Sequence, residues 1–223
     1  MTGVVAITGA AGALGRKVVE VLGAAGWTTV GLDLAEVPAG GASLALGGVD
    51  LTDEAAVAGA AKKIEAGFGR LDGLVNIAGG FRWETVTDGS VATWDKLYTM
   101  NVKTALVTTR ALLPLVRAAK GSIVNISAGA SAKAAAGMGA YAASKSGVSR
   151  LTEALAEELK DEGVRVNAVL PSIIDTAANR ADMPDAEFGR WVTAEQLANV
   201  IAFLLSPAAS AVTGALLPVT GRV

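Results

Sequence analysis

The chain has 223 residues, and its 19 lysine and arginine side chains against 21 aspartate and glutamate side chains give a formal net charge of -2. That balance lacks the basic surface of a nucleic-acid-binding protein. The sequence contains neither cysteine nor histidine, which excludes disulfide bonds and argues against zinc sites and histidine-based triads. We therefore expect neither nucleic acid nor a metal ion as a partner.

The amino terminus is apolar but lacks the basic segment that precedes the apolar part of a signal peptide. No apolar run reaches the ~18 residues that a membrane-spanning helix needs. No linker, repeat or low-complexity segment divides the chain. We expect a cytoplasmic protein that does not interact with membranes.

Apolar segments of strand length alternate with helical patterns along the chain. The predicted strands lie at residues 4–8, 28–33, 73–77, 122–127 and 165–170, with weaker ones at 43–49 and 215–219. The predicted helices lie at 14–25, 53–67, 91–118 (with one break), 141–162 and 194–205. This alternation predicts one α/β domain over residues 1–223, a doubly wound parallel sheet of about seven strands with helices on both faces.

A glycine-rich turn follows the first predicted strand and opens the first predicted helix. Glycines at such a turn let the backbone approach a pyrophosphate, which then lies at the helix amino terminus. In a glycine-rich chain they also suit an ordinary turn, but here they open a strand–helix–strand unit. We therefore predict a dinucleotide-binding turn whose cofactor-binding residues are Gly9, Gly12, Leu14 and Gly15.

Asp33 ends the second predicted strand, where a carboxylate can accept hydrogen bonds from the ribose of an adenosine. Its charge would repel a 2′-phosphate, and neither the turn nor residues 34–35 supply a cation to bind one. Arg16 and Lys17, just beyond the turn, are the nearest cations. The sequence favours NAD as the cofactor, with NADP less favoured.

Two further segments complete the predicted cofactor site. Asp50 and Leu51 can hold the adenine edge, although Asp50 equally suits the start of a helix. A third predicted strand ends in small residues that let the backbone lie close to a ligand. That segment adds Asn76, Ala78 and Gly79.

Tyr141 and Lys145 lie four residues apart at the head of a predicted helix, so they share one helix face. A free tyrosine has a pKa near ~10. A nearby ammonium group stabilises the phenolate, so we expect Lys145 to lower the pKa of Tyr141 into a range useful for acid–base catalysis. Taken alone, the pair would more simply be an aromatic helix residue beside a solvated lysine.

With these motifs in their order, the chain resembles the short-chain dehydrogenase/reductase family over essentially its whole length. The matching pieces are the glycine turn, Asp33, Asp50, Asn76-x-Ala78-Gly79, Asn101, residues 122–127, Tyr141-x-x-x-Lys145, and Pro171 followed by Thr176. The resemblance implies a Rossmann-like fold and an oxidoreductase that moves hydride between nicotinamide and a carbonyl or alcohol carbon.

The resemblance also implies roles for individual residues. Tyr141 would exchange a proton with the substrate oxygen, and Lys145 would hold the nicotinamide ribose. Asn101 would anchor a water that relays protons to Lys145. Pro171, Ile174 and Thr176 would contact the nicotinamide end of the cofactor, in a short substrate lid around residues 171–192. Family members pack the two helices after residue 101 and residue 141 against their copies, so a homo-oligomer is expected, with a tetramer ahead of a dimer.

Three departures from the family pattern stand out. The position of the usual active-site serine is Ala128 in this chain. Ser127 should point to the opposite side of its strand. Ser131 could supply the missing hydroxyl, although we favour a site without serine. The turn has Ala13 where a glycine is common, and Ser172 follows Pro171 in place of glycine. In its glycine turn and carboxyl third the chain is similar to the dihydropteridine reductase branch.

The sequence is compatible with two functions. The first is an NAD-dependent oxidoreductase acting on a small carbonyl or alcohol, such as an activated ketone or a quinonoid dihydropterin. The second is a non-catalytic NAD-binding sensor of the same fold, which loss of the serine would suit. Three residues either form an apolar substrate wall or are ordinary packing: Phe81, Trp83 and Met138.

Overall fold

The computed structural model describes residues 3–223. Seven parallel strands form one sheet, in the spatial order β3-β2-β1-β4-β5-β6-β9. They are β1 Val4–Thr8, β2 Thr28–Leu32, β3 Leu44–Leu46, β4 Gly73–Asn76, β5 Ser122–Ile126, β6 Arg165–Pro171 and β9 Leu216–Val219. All six pairings between neighbours are parallel. The predicted doubly wound sheet is confirmed.

The helices cover both faces of this sheet. They are α1 Ala13–Ala24, α2 Glu54–Phe68, α3 Val91–Tyr98, α4 Thr104–Ala119, α5 Gly139–Leu159, α6 Ala177–Asp182 and α7 Ala194–Leu205. On one face the core contains Leu22 of α1 and Leu197 of α7, and on the other it contains Ile64, Leu112 and Leu159 from α2, α4 and α5. The five inner strands are buried on both faces, which explains why their sequences are largely continuous apolar runs, whereas the edge strands β3 and β9 are partly exposed.

The strand order places a ligand cleft at a defined point. The chain runs outward from β1 through β2 to β3 and then returns to form β4 on the other side of β1. Ligands of doubly wound sheets bind beyond the carboxyl ends of the strands where the order reverses. Here that point lies between β1 and β4.

Two details differ from the sequence prediction. The break expected within residues 91–118 is a π-helical turn, Thr99–Lys103, that joins α3 to α4 and contains Asn101; such turns occur often at functional sites. The structure also has a two-stranded parallel sheet of β7, Ile174–Asp175, and β8, Val192–Thr193, which pair across the predicted lid. Among residues 3–223, no helix combines the length and apolar character needed to cross a bilayer.

Candidate active site

A cleft of about 460 Å³ opens at the reversal point between β1 and β4. Nine of its lining residues were predicted from the sequence: Gly9, Gly12, Leu14, Gly15, Asp33, Asp50, Leu51, Ala78 and Gly79. Sequence reasoning missed six others: Ala13, Leu34, Thr52, Ile77, Met100 and Thr104. The missed residues carry no distinctive chemistry, and they line the cleft because they neighbour predicted ones or lie at the α3–α4 junction.

The glycine turn has the geometry that a dinucleotide pyrophosphate requires. A Cβ on Gly15 would overlap the carbonyl oxygen of Gly9, so only glycine lets α1 begin this close to the turn. Gly9 has a φ of +66° and lies against the backbone of Ala78. The amino terminus of α1 has no side-chain cap at Gly12 and no acidic residue in its first turn. Its amide groups therefore remain available to an anion.

Asp33 joins the glycine turn to the segment that follows β2. Its carboxylate accepts hydrogen bonds from the backbone amides of Ala11 and Ala35, each at 2.9 Å. Of the nearby cations, Arg16 donates from its Nε to the carbonyl of the same Ala11 at 2.7 Å, and Lys17 forms an exposed ion pair with Glu20. No lysine or arginine is found among the described residues that line the cleft.

Asp50 lies in the cleft but does not start a helix. Its Oδ1 accepts hydrogen bonds from the amide and the hydroxyl of Thr52, at 2.8 and 2.7 Å, and these bonds lower the pKa of the Asp50 carboxyl. The helix cap of α2 is Asp53, which accepts the amides of Ala55 and Ala56. The helix-start alternative for Asp50 is therefore wrong, because Asp53 occupies that position.

Tyr141 and Lys145 lie in the first turns of α5, with the Lys145 Nζ 6.0 Å from the centroid of the Tyr141 ring. The Nζ donates to the carbonyl oxygen of Ile126 at 2.8 Å, which ties the lysine to the end of β5. A Cβ on Gly79 would lie 3.5 Å from the same Nζ, so Lys145 adjoins the cleft. Although buried, its ammonium group thus lies beside the lining of the cleft.

Burial controls the protonation of both residues. It raises the pKa of Tyr141 to about 12 and lowers the pKa of Lys145 to about 8. The expectation that Lys145 lowers the pKa of Tyr141 is therefore wrong for this structure, because desolvation of the phenolate is the dominant effect. At neutral pH Tyr141 is a protonated phenol that can donate a hydrogen bond.

Asn101 is held between the cleft and α5. Its Oδ1 accepts the Gly80 amide at 2.9 Å, and its Nδ2 donates to the Gly80 carbonyl at 3.1 Å and to the Ser144 hydroxyl at 2.9 Å. Ser144 in turn donates to the carbonyl of Tyr141 at 2.7 Å. The sequence did not predict this role of Ser144, because a serine between Tyr141 and Lys145 in a helical pattern does not indicate which side chain its hydroxyl will contact.

Asn76 lies apart from the cleft. Its side chain is buried, and the Nδ2 donates to the Thr109 hydroxyl of α4 at 3.0 Å and to the Asn125 Oδ1 of β5 at 2.8 Å. The Asn76 side chain is thus bound within the protein, and the contact of this residue with a cofactor stays a prediction. The end of β4 is instead attached to the glycine turn by the missed residue Thr8, whose hydroxyl accepts the amides of Ile77 and Ala78 at 2.9 and 3.1 Å.

The usual serine position is occupied by buried Ala128. Ser127 faces the underside of α5, where its hydroxyl donates to the Lys145 carbonyl at 2.9 Å and bonds the Ser149 hydroxyl at 2.8 Å. Ser131 accepts a longer bond, 3.3 Å, from the same Ser149. Ser127 is thus bound to α5, whereas the Ser131 hydroxyl only accepts one long hydrogen bond, and a site without serine stays a prediction.

The predicted nicotinamide-side residues lie at the carboxyl end of β6. Pro171 ends that strand, and Ile174 belongs to β7. Thr176 caps α6 by accepting the Asn179 amide at 3.2 Å. None of the three lines the cleft described above, so their contact with a cofactor stays a prediction.

In the described part of the chain, no group of acidic side chains is arranged to hold a metal ion.

A doubly wound parallel sheet with a glycine turn at its reversal point and a Tyr–Lys pair beside it defines a Rossmann-like α/β protein. A family model described as short chain dehydrogenase matches residues 3–187. The chain belongs to this family of oxidoreductases.

Known relatives agree with that assignment over nearly their whole length. The chain is 32% identical to 2-(S)-hydroxypropyl-CoM dehydrogenase 3 of Xanthobacter autotrophicus, over 98% of this chain and 95% of that protein. It is 30% identical to 3-oxoacyl-(acyl-carrier-protein) reductase FabG of Escherichia coli, over 96% and 94%. The structure of 3-ketoacyl-(acyl-carrier-protein) reductase from Brucella melitensis complexed with NADH is similar, with a TM-score of 0.89, 28% identity, and 99% and 98% of the two chains covered.

Proposed function

We propose that this protein is an NAD(H)-dependent oxidoreductase that interconverts a small carbonyl compound and its alcohol, with Tyr141 as the acid–base residue. The observation that carries the proposal is the position of the Tyr141–Lys145 pair at the cofactor cleft. The pair is on one helix, and the Lys145 Nζ adjoins Gly79 of the cleft lining. With neither histidine nor cysteine in the chain, Tyr141 is the side chain best suited to transfer a proton there.

Bound NADH would supply the hydride, and the remaining chemistry falls to this chain's residues. Tyr141 is protonated at neutral pH and would donate its proton to the oxygen of the substrate as charge develops there. Lys145, when charged, would stabilise the phenolate that remains and hold ribose hydroxyls of the cofactor. Asn101 fixes the Gly80 segment and, through Ser144, the first turn of α5, so it would keep Tyr141 in place relative to the cleft.

Three features support NAD over NADP. The Asp33 carboxylate lies in the cleft and would repel a 2′-phosphate while accepting ribose hydroxyls. Neither Arg16 nor Lys17 is among the residues that line the cleft. The Brucella melitensis relative is complexed with NADH.

The test is NADH consumption by the purified protein against simple ketones, α-diketones, α-keto esters and a quinonoid dihydropterin. We expect turnover with at least one activated carbonyl compound. NADH binding by calorimetry without turnover of any compound would favour the alternative of a non-catalytic NAD-binding sensor. Neither NADH binding nor turnover would contradict both functions.

A further inference from the structure

We propose that Phe81 and Trp83 form an aromatic wall on the substrate side of the active site that selects aryl carbonyl compounds. This inference rests on the proposed function, because it takes Tyr141 as the residue that contacts the reacting oxygen. The two aromatic residues directly follow the Gly79-Gly80 segment at the end of β4. They therefore lie where the cofactor cleft meets the first turn of α5.

Phe81 is in contact with the proposed catalytic tyrosine. The ring centroids of Phe81 and Tyr141 are 4.9 Å apart and the rings are inclined by 84°, an edge-to-face arrangement. The backbone just before Phe81 is fixed, because Gly80 both donates to and accepts from the Asn101 side chain. Phe81 nevertheless stays 55% exposed. Phe81 therefore presents exposed apolar surface beside the Tyr141 ring.

Trp83 extends the same surface toward the loop before α5. A Cβ on Gly137 would overlap Cε2 and Nε1 of the indole, so the ring lies directly on the Gly137 backbone. Gly137 has a φ of +73°, a conformation that also favours glycine. The Glu84 amide donates to the Gly137 carbonyl at 2.9 Å. These contacts join the two loops and still leave Trp83 57% exposed.

The chemistry of this wall favours an apolar, flat ligand. The rings of Phe81 and Trp83 carry no charge. Hydrogen bonds lower the pKa of the Glu84 carboxyl, which accepts the Ser90 amide at the start of α3, and the charge of exposed Arg82, between the two rings in the chain, helps to lower it. Exposed apolar surface beside a polar reaction centre is typical of a ligand groove. An aryl group can make ring-to-ring contacts with Phe81 or Trp83 that a saturated group of equal size cannot.

The experiment compares kcat/KM for 1-phenyl-1,2-propanedione and 1-cyclohexyl-1,2-propanedione, which differ in the aromaticity of one ring. The unmodified protein should prefer the aryl diketone by roughly 2- to 13-fold, the range that aromatic pairs contribute. Phe81→Leu and Trp83→Leu should each reduce that ratio toward one and leave the KM for NADH unchanged. Phe203→Leu is the matched control, since Phe203 is 45% exposed on α7, across the sheet from α5, and it should keep the ratio.

A kcat/KM ratio near one in the unmodified protein would contradict the aromatic wall. Equal losses of kcat/KM on both diketones in Phe81→Leu would also contradict it. If neither diketone consumes NADH, calorimetric titration of both in the presence of NADH decides. Tighter binding of the aryl compound that is lost in Phe81→Leu would support the wall while the proposed function fails. Equal binding, or no binding, would overturn the wall.

Discussion

The Nζ of Lys145 lies 6.0 Å from the ring centroid of Tyr141 and donates its hydrogen bond to the carbonyl of Ile126. The lysine is therefore fixed by β5 and positioned by α5 at the same time. In this arrangement each residue is shifted by burial toward its neutral form. The proposed proton donor is held protonated, beside an ammonium group whose pKa of about 8 lies close to neutral pH.

The first prediction concerns the proton donor. Tyr141→Phe keeps the ring against Phe81 but removes the hydroxyl, so kcat should fall by roughly 10²–10⁴, the usual contribution of acid–base catalysis. NADH should still bind, which calorimetry can check. Tyr98→Phe is a matched control, because Tyr98 is the other tyrosine of the chain and lies exposed on α3. Turnover near that of the unmodified protein in Tyr141→Phe would remove Tyr141 from the mechanism.

The second prediction concerns stability and pH. Lys145 has a folded-state pKa of about 8 against a usual value of 10.5. Between these values the unfolded chain binds the proton and the folded chain does not, so this group makes the protein more stable as pH rises. Below pH 8 the buried ammonium group lowers the free energy of unfolding by its full amount. As the pH rises to the unfolded-state pKa, the protein regains about 3 kcal/mol of that stability.

Urea unfolding at pH 7.5 and pH 10 tests this effect. The free energy of unfolding of the unmodified protein, relative to that of Lys145→Met, should increase between the two pH values. Lys133→Met is the control, because Lys133 is exposed in the loop before α5. A difference that stays constant with pH would contradict the buried ammonium group.

The third prediction concerns the choice of cofactor. Asp33→Ser removes the charge that opposes a 2′-phosphate, so the ratio of kcat/KM for NADH to that for NADPH should decrease. Some loss of stability should accompany it, since Asp33 also accepts the amides of Ala11 and Ala35. Asp53→Ser is the control, because serine can still cap α2 there. A higher kcat/KM with NADPH than with NADH in the unmodified protein would refute the assignment.

The fourth prediction concerns the missing hydroxyl at Ala128. One hydrogen bond to a developing charge is worth roughly 1.5–3 kcal/mol, so simple ketones should be poor substrates of the unmodified protein. Ala128→Ser should raise their kcat/KM by about tenfold or more, while Ala132→Ser, at an exposed position of the same loop, should not. Fast reduction of acetophenone by the unmodified protein, with no gain in Ala128→Ser, would contradict this role.

The fifth prediction concerns assembly. Some apolar residues of α5 are buried within the chain itself, among them Val148 and Leu155. Ala143 and Ala154 stay exposed, and Leu151 is half-buried. Small exposed side chains let two helices approach closely, so we still expect a homo-oligomer, with a tetramer ahead of a dimer. Light scattering at micromolar concentration should give a multiple of the monomer mass, and a monomeric mass would contradict it.

Local sequence pattern was sufficient for the sheet and for most of the cofactor cleft. Strand-length apolar runs alternating with helical periodicity define a parallel sheet because each element must bury its own apolar face. The glycines of the turn were predictable for a similar reason, since only glycine permits the close approach at Gly15. The Tyr141–Lys145 pair was predictable because helix geometry alone places residues four apart on one face.

The tertiary structure decided what depends on contacts between distant segments. It placed Phe81 on Tyr141, sixty positions along the chain, and Trp83 on Gly137. It also packed Tyr141, which is half-buried, so that desolvation raises its pKa, where the spacing to Lys145 had indicated a decrease. Periodicity describes which face of an element is apolar, but it carries no information on which loops meet or how far water is excluded. For this chain the cleft between β1 and β4 follows from local pattern, whereas the contacts of Phe81 and Trp83 follow from long-range packing.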